Sequence, residues 1–153
     1  MPVRIKDKPA EIEDVFRGWH AHDRVGLLID ACERAARVVL EEGAMKLVVV
    51  HCPSSALVLT RDGERTVLPS IAIPESEIMG ANGAGDAFAA GMLYGIHESW
   101  STEDSLRIDH GCAAVSLRSV STTGAIVSWR ECLELAQRWG SRAFPPSVSV
   151  VRG

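Results

Sequence analysis

The segment Gly80-Ala81-Asn82-Gly83-Ala84-Gly85-Asp86 constrains this chain more than any other. Its three glycines run directly into Ala87–His97, a stretch of helical composition. Glycine lets a backbone come close to a bound group without side-chain interference. The first amides of a helix have no intrahelical partner, and the helix dipole makes that end attractive to anions. Such a loop can seat phosphate oxygens, and Asp86 would stand beside them. There its carboxylate can take a proton from a hydroxyl that attacks a terminal phosphoryl group. A glycine-rich turn closed by an aspartate is also a common way to start a helix, and the residues alone leave both readings open. The pattern is not a P-loop, because no Lys-Ser/Thr pair follows, and it is not GxGxxG, because its glycines fall as GxxGxG.

The flanks read as alternating helices and strands. From Asp23 to Glu42, Val25, Leu28, Ile29, Cys32, Ala35, Ala36, Val39 and Leu40 recur at helical spacing, and Gly43 suits the helix end. MKLVVVHC is a short valine-rich run expected to form a buried strand. Pro53, Ser54 and Ser55 break it, and ALVLT resumes as a second strand. Arg61-Asp62-Gly63-Glu64 is a hairpin turn by its Asp-Gly pair, with RTVLPSIAI as a third strand. Along the helix after Asp86, Phe88, Met92 and Ile96 form one stripe and small Ala87, Gly91 and Gly95 another. Ser101-Thr102-Glu103-Asp104 starts a further helix, Ser121–Gly124 is a polar loop, and Trp129–Trp139 is the last helix. The first 22 residues carry no firm assignment, and the tail FPPSVSVVRG is either a strand or loose. This order points to an α/β domain with some antiparallel edge.

Composition removes several classes of function. A formal net charge of −4 leaves no electrostatic footprint for nucleic acid or an anionic membrane. No apolar run approaches the roughly 18 residues needed to span a bilayer, and the first residues lack the apolar core of a secretory signal. A cytoplasmic setting is the default expectation. Cys32, Cys52, Cys112 and Cys132 form no CxxC pair, and the five histidines are dispersed, so no metal site is expected.

GANGAGDAFAAGMLYGI resembles the second signature of the ribokinase-like (PfkB) carbohydrate kinases, DTxGAGDxFxxGxL, matching at Gly83, Ala84, Gly85, Asp86, Phe88 and Gly91. KLVVVHCPSSALVLTRDGE resembles that family's strand, glycine turn and hairpin upstream of the signature, and HGCAAVSLRSVSTTGAI its downstream helix and loop. The resemblance is strongest over residues 44–140 and covers the C-terminal, nucleotide-binding half of the family. It implies a three-layer α/β fold with a mainly parallel sheet and helices on both faces. It also implies transfer of a phosphoryl group from ATP, carried with Mg2+, to a hydroxyl of a sugar or similar small molecule. Residue by residue, Asp86 would be the catalytic base, and Asn82, Gly83, Ala84 and Gly85 the phosphate-binding loop and anion hole. His110, Ser116 and Gly124 would lie near the nucleotide.

The chain also departs from the pattern. Gly80 replaces the signature's leading aspartate, which the family's cation loop uses, so activation by a monovalent cation is not carried over. Asn82 stands at its Thr/Ser position. In the upstream turn Pro53 lacks an amide hydrogen, so that turn presents fewer donors. Residues 1–43 do not resemble the family's N-terminal, acceptor-binding half. The chain as a whole, residues 1–153, is therefore expected to be a single partial domain. It is expected to bind nucleotide and a small hydroxyl-bearing substrate, to need an absent half for turnover, and to self-associate through surfaces that half would cover. The alternative is a remnant that binds nucleotide or a partner without catalysis.

Overall fold

The computed structural model describes residues 25–143, less the side chains of Val25 and Leu27. The first 22 residues and the tail from Phe144 lie outside them. Two compact units divide the described residues, 25–67 and 68–143.

In the first unit, helix α1 (Val25–Glu42) is followed by strands β1 (Leu47–Cys52), β2 (Ser55–Thr60) and β3 (Arg65–Pro69), which leads out of the unit. The sheet order is β1-β2-β3. β1 and β2 pair antiparallel, from Leu47 opposite Thr60 to Cys52 opposite Ser55. The turn into β3 is closed by the Thr60 amide donating to the Glu64 carbonyl at 2.9 Å. These strands are antiparallel, as the hairpin turn and antiparallel edge read from the residues imply, and the mainly parallel sheet implied by the resemblance is not found among them. The reason is connection length. Pro53 and Ser54 alone separate β1 from β2, and residues 61–64 separate β2 from β3, whereas a parallel pair needs a crossover of about a dozen residues.

The helical periodicity places Leu28, Ile29, Ala31 and Cys32 of α1 in one core with Cys52, Leu57 and Val67. Ala36 and Leu40 extend that contact to Leu59. Alternation along β2 puts Leu57 and Leu59 toward the helix, and each such buried side chain contributes about 1.5–3 kcal/mol. The Arg61 guanidinium donates to the Leu40 carbonyl in the last turn of α1 and to the Gly43 and Met45 carbonyls just beyond it. Glu33 joins α1 to β3 through Arg65, at 2.6 Å, and also pairs with Arg37.

The second unit holds a 3-10 turn (Glu75–Glu77) and helices α2 (Ala84–His97), α3 (Thr102–Ser116) and α4 (Trp129–Trp139). The small-residue stripe of α2 is its contact with α3. A Cβ on Gly91 would stand 2.5 Å from the Asp109 Cα, and one on Gly95 2.8 Å from the Ser105 Cα. Ser101 caps α3 by accepting from the Asp104 amide, and Ser128 forms a capping box with Glu131 at the start of α4. Among the described residues, no helix is long and apolar enough to cross a membrane.

Candidate functional site

The glycine-rich segment is a tight turn that opens α2. Gly83 is the residue before the helix, with φ 77° and ψ 3°, a left-handed conformation that glycine adopts without steric cost. Its virtual Cβ would lie 2.9 Å from the Thr122 Cβ, so the polar loop after α3 packs directly on the turn. The Met79 and Gly80 amides donate to the Leu117 carbonyl at 2.8 and 3.2 Å, fixing the same two segments on the other side. The polar loop that contains Gly124 therefore abuts the Gly83 turn, a contact the sequence did not foretell.

Helical bonding begins with the Ala87 amide donating to the Gly83 carbonyl at 2.9 Å. The amides of Gly85 and Asp86 lie ahead of that first bond, in the position where helix N-termini bind anions. Asn82, Gly85 and Asp86 are exposed, and Gly83 and Ala84 half-buried. The helix starts at Ala84, so Asp86 lies within its first turn. A carboxylate there also favours the helix dipole, by about 0.3–1 kcal/mol. Ala89, Ala90, Leu93 and Ile96 continue the exposed face on which Asp86 sits, with Leu93 66% exposed.

The remaining expected site residues fall in different surroundings. His110 is buried and edge-on to Phe88, with ring centroids 5.5 Å apart, which couples it to the first turns of α2. It lines a cavity of about 500 Å3 together with Leu68, Ile71, Arg107, Leu133 and Gln137. Ser116 is buried, and its hydroxyl donates to the Ala113 carbonyl at 2.7 Å. Gly124 is exposed, beside Ser119 and Ser121. Among the described residues, no three His, Cys, Asp or Glu side chains converge on a metal position.

One residue that sequence reasoning passed over is Asp109. It is fully buried on α3, and among the described residues neither carboxylate oxygen has a hydrogen-bond partner. Burial pushes its pKa up to about 9. The His110 amide favours the charged form but makes no hydrogen bond to either oxygen, so it offsets burial only in part. Its signal was a carboxylate in the middle of a helix, directly between Ile108 and His110.

The model of the pfkB family carbohydrate kinases matches residues 22–130. An uncharacterized sugar kinase of Escherichia coli, YeiI, is 31% identical over 101 residues, 66% of this chain and 27% of its own length. Ribokinase from Thermotoga maritima has a similar fold, with a TM-score of 0.58 and 23% identity over 69% of this chain and 34% of that one. Arabidopsis thaliana ribokinase, solved with ribose and ATP, gives a TM-score of 0.57 at 18% identity, over 74% of this chain and 34% of that one. The chain thus spans about a quarter of the length of the curated sugar kinase it matches and about a third of each ribokinase.

Proposed function

Because this chain belongs to the pfkB family of carbohydrate kinases, we propose that it is the nucleotide-binding portion of an ATP-dependent kinase acting on a sugar or similar hydroxyl compound. One observation carries the reading: the left-handed Gly83 turn leaves the Gly85 and Asp86 amides ahead of the first helical bond, with an exposed carboxylate beside them. In this reading Asn82, Gly83, Ala84 and Gly85 hold the transferring phosphate, and Asp86 takes the proton from the attacking hydroxyl. ATP brings Mg2+ with it, as part of the nucleotide substrate; the ion neutralises phosphate charge there. His110 and the cavity it lines, with Ser116 and Gly124, form the nucleotide side. Residues 1–153 are then one partial domain of a three-layer α/β fold whose parallel strands and acceptor site lie in the rest of the protein. Self-association through the exposed Leu93 and Ile96 face belongs to the same reading.

A second reading, binding of nucleotide or a partner without phosphoryl transfer, is favoured by Pro53, which supplies no amide at the β1–β2 turn. Transfer of phosphate from ATP to a panel of sugars and nucleosides separates the two. On the first reading, Asp86→Asn cuts transfer by about 10²–10⁴ while ATP binding persists. Undiminished transfer in that variant removes Asp86 from its role, and binding without any transfer by the unaltered chain favours the second reading.

A further inference from the structure

Ile73 and Ala87 are buried, but no residue between them is. The connector and the glycine turn are therefore held by polar contacts rather than by burial of apolar side chains. On the backbone, the Met79 and Gly80 amides donate to the Leu117 carbonyl. Among the described residues, Glu77 is the one side chain of residues 74–86 that makes a hydrogen bond or ion pair.

Its two carboxylate oxygens reach two different elements. Oε1 accepts from the indole Nε1 of Trp139, the last residue of α4, at 3.2 Å. Oε2 pairs with Nε of Arg118, just past the end of α3, at 3.0 Å. The Arg118 guanidinium carbon lies 5.8 Å from the centroid of the Trp139 ring, so the cation and the indole also meet each other. Arg118 adjoins Leu117, and the ion pair and the backbone bonds thus fasten the same two segments at neighbouring residues. Further along, a Cβ on Gly80 would stand 3.2 Å from the Ser119 carbonyl oxygen, and one on Gly83 2.9 Å from the Thr122 Cβ. Residues 77–83 therefore run beside residues 117–122, with the Glu77–Arg118 pair at one end and the glycine turn at the other. The end of α4 is itself tied to the start of the connector, where the Ala72 amide donates to the Gly140 carbonyl at 2.9 Å.

We propose that Glu77 is a positioning residue for the phosphate-binding turn, an inference that rests on the nucleotide reading above. The turn amides and Asp86 meet the nucleotide, and Glu77 acts through them. By fixing residues 77–83 against the ends of α3 and α4, it limits the placements open to the turn before phosphate arrives, so less ordering is left for binding to supply. A carboxylate suits the place because Arg118 and Trp139 both donate and it accepts from both; a neutral amide can accept from one but turns its own N–H groups toward the other. With the Arg118 and Glu77 side chains 37% and 36% exposed, solvent screens the pair, and its loss should change the turn by a factor of roughly two to five.

The test is native-state hydrogen exchange, read amide by amide in the nucleotide-free chain, beside Mg-ATP titration of the same proteins. In Glu77→Gln the Met79 and Gly80 amides should exchange roughly two- to fivefold faster, while amides within α3 and α4 keep their wild-type rates. Mg-ATP should bind more weakly by a similar factor. Exchanging the charges, Glu77→Arg with Arg118→Glu, should bring both readings back toward wild type, which the loss of a packing contact would not do. Arg118→Met removes the same ion pair from its other side and takes the place of Glu77→Gln if that variant does not fold. Unchanged exchange at Met79 and Gly80, or faster exchange throughout α3 and α4, overturns the proposal. So does unchanged Mg-ATP affinity in a variant whose Met79 and Gly80 amides have loosened. A wild-type chain that binds no Mg-ATP instead fails the nucleotide reading itself, and the proposal falls with it.

Discussion

Gly91 of α2 meets the backbone of Asp109 of α3 so closely that a methyl group at position 91 would lie 2.5 Å from the Asp109 Cα and 2.8 Å from its amide nitrogen. Those atoms belong to a helix backbone and cannot turn aside as a side chain would. Gly91→Ala should gain about 1 kcal/mol of helix propensity but lose more to overpacking, typically about 1–3 kcal/mol. A net loss in urea-induced unfolding is expected. A more stable Gly91→Ala protein would mean that the two helices sit further apart.

Beneath that contact, Asp109 sets a pH dependence. Its folded pKa, about 9, lies above the ordinary 3.8, so between these values the folded state holds a proton that the unfolded state has released. The contribution to stability is complete below about 3.8 and is lost as pH rises through about 9. Asp109→Asn carries no such proton, and its stability should fall less than wild type's across that range. Parallel curves for the two proteins would show that Asp109 is solvated or paired.

Glu33 works in the opposite sense. Burial raises its pKa, but hydrogen bonds and charge from Arg65 and Arg37 outweigh burial and hold it below its ordinary 4.5. Its contribution is present above 4.5 and is lost as pH falls through the depressed folded value. With Glu33 and Arg65 side chains only 18% and 21% exposed, Glu33→Gln should cost about 1–2 kcal/mol near neutrality. That difference should shrink on acidification. A pH-independent difference would assign the loss to packing.

How much of this was legible in the sequence depended on how local the cause was. The bounds of Trp129–Trp139, the Asp62-Gly63 turn and the stripe of Ala87, Gly91 and Gly95 follow from periodicity and turn chemistry, and the structure agrees with them. The antiparallel edge was legible too, because two residues between Cys52 and Ser55 allow only a hairpin; the mainly parallel sheet came from the family resemblance alone. Other features depend on contacts between distant segments. No spacing in the sequence places Thr122 on Gly83 or buries Asp109 with no hydrogen-bond partner among the described residues. The GAGD turn was legible because its chemistry is confined to a few consecutive residues.

The central claim is that the turn at Gly83–Asp86 binds the phosphates of a nucleotide. Titration calorimetry of this chain with Mg-ATP, beside a Gly85→Val variant of unchanged helical content, tests it most directly. Saturable binding by the wild type and its loss in the variant are expected, because the added side chain blocks approach to the Gly85 and Asp86 amides. Absence of binding by the folded wild type, or equal binding by both proteins, would contradict it.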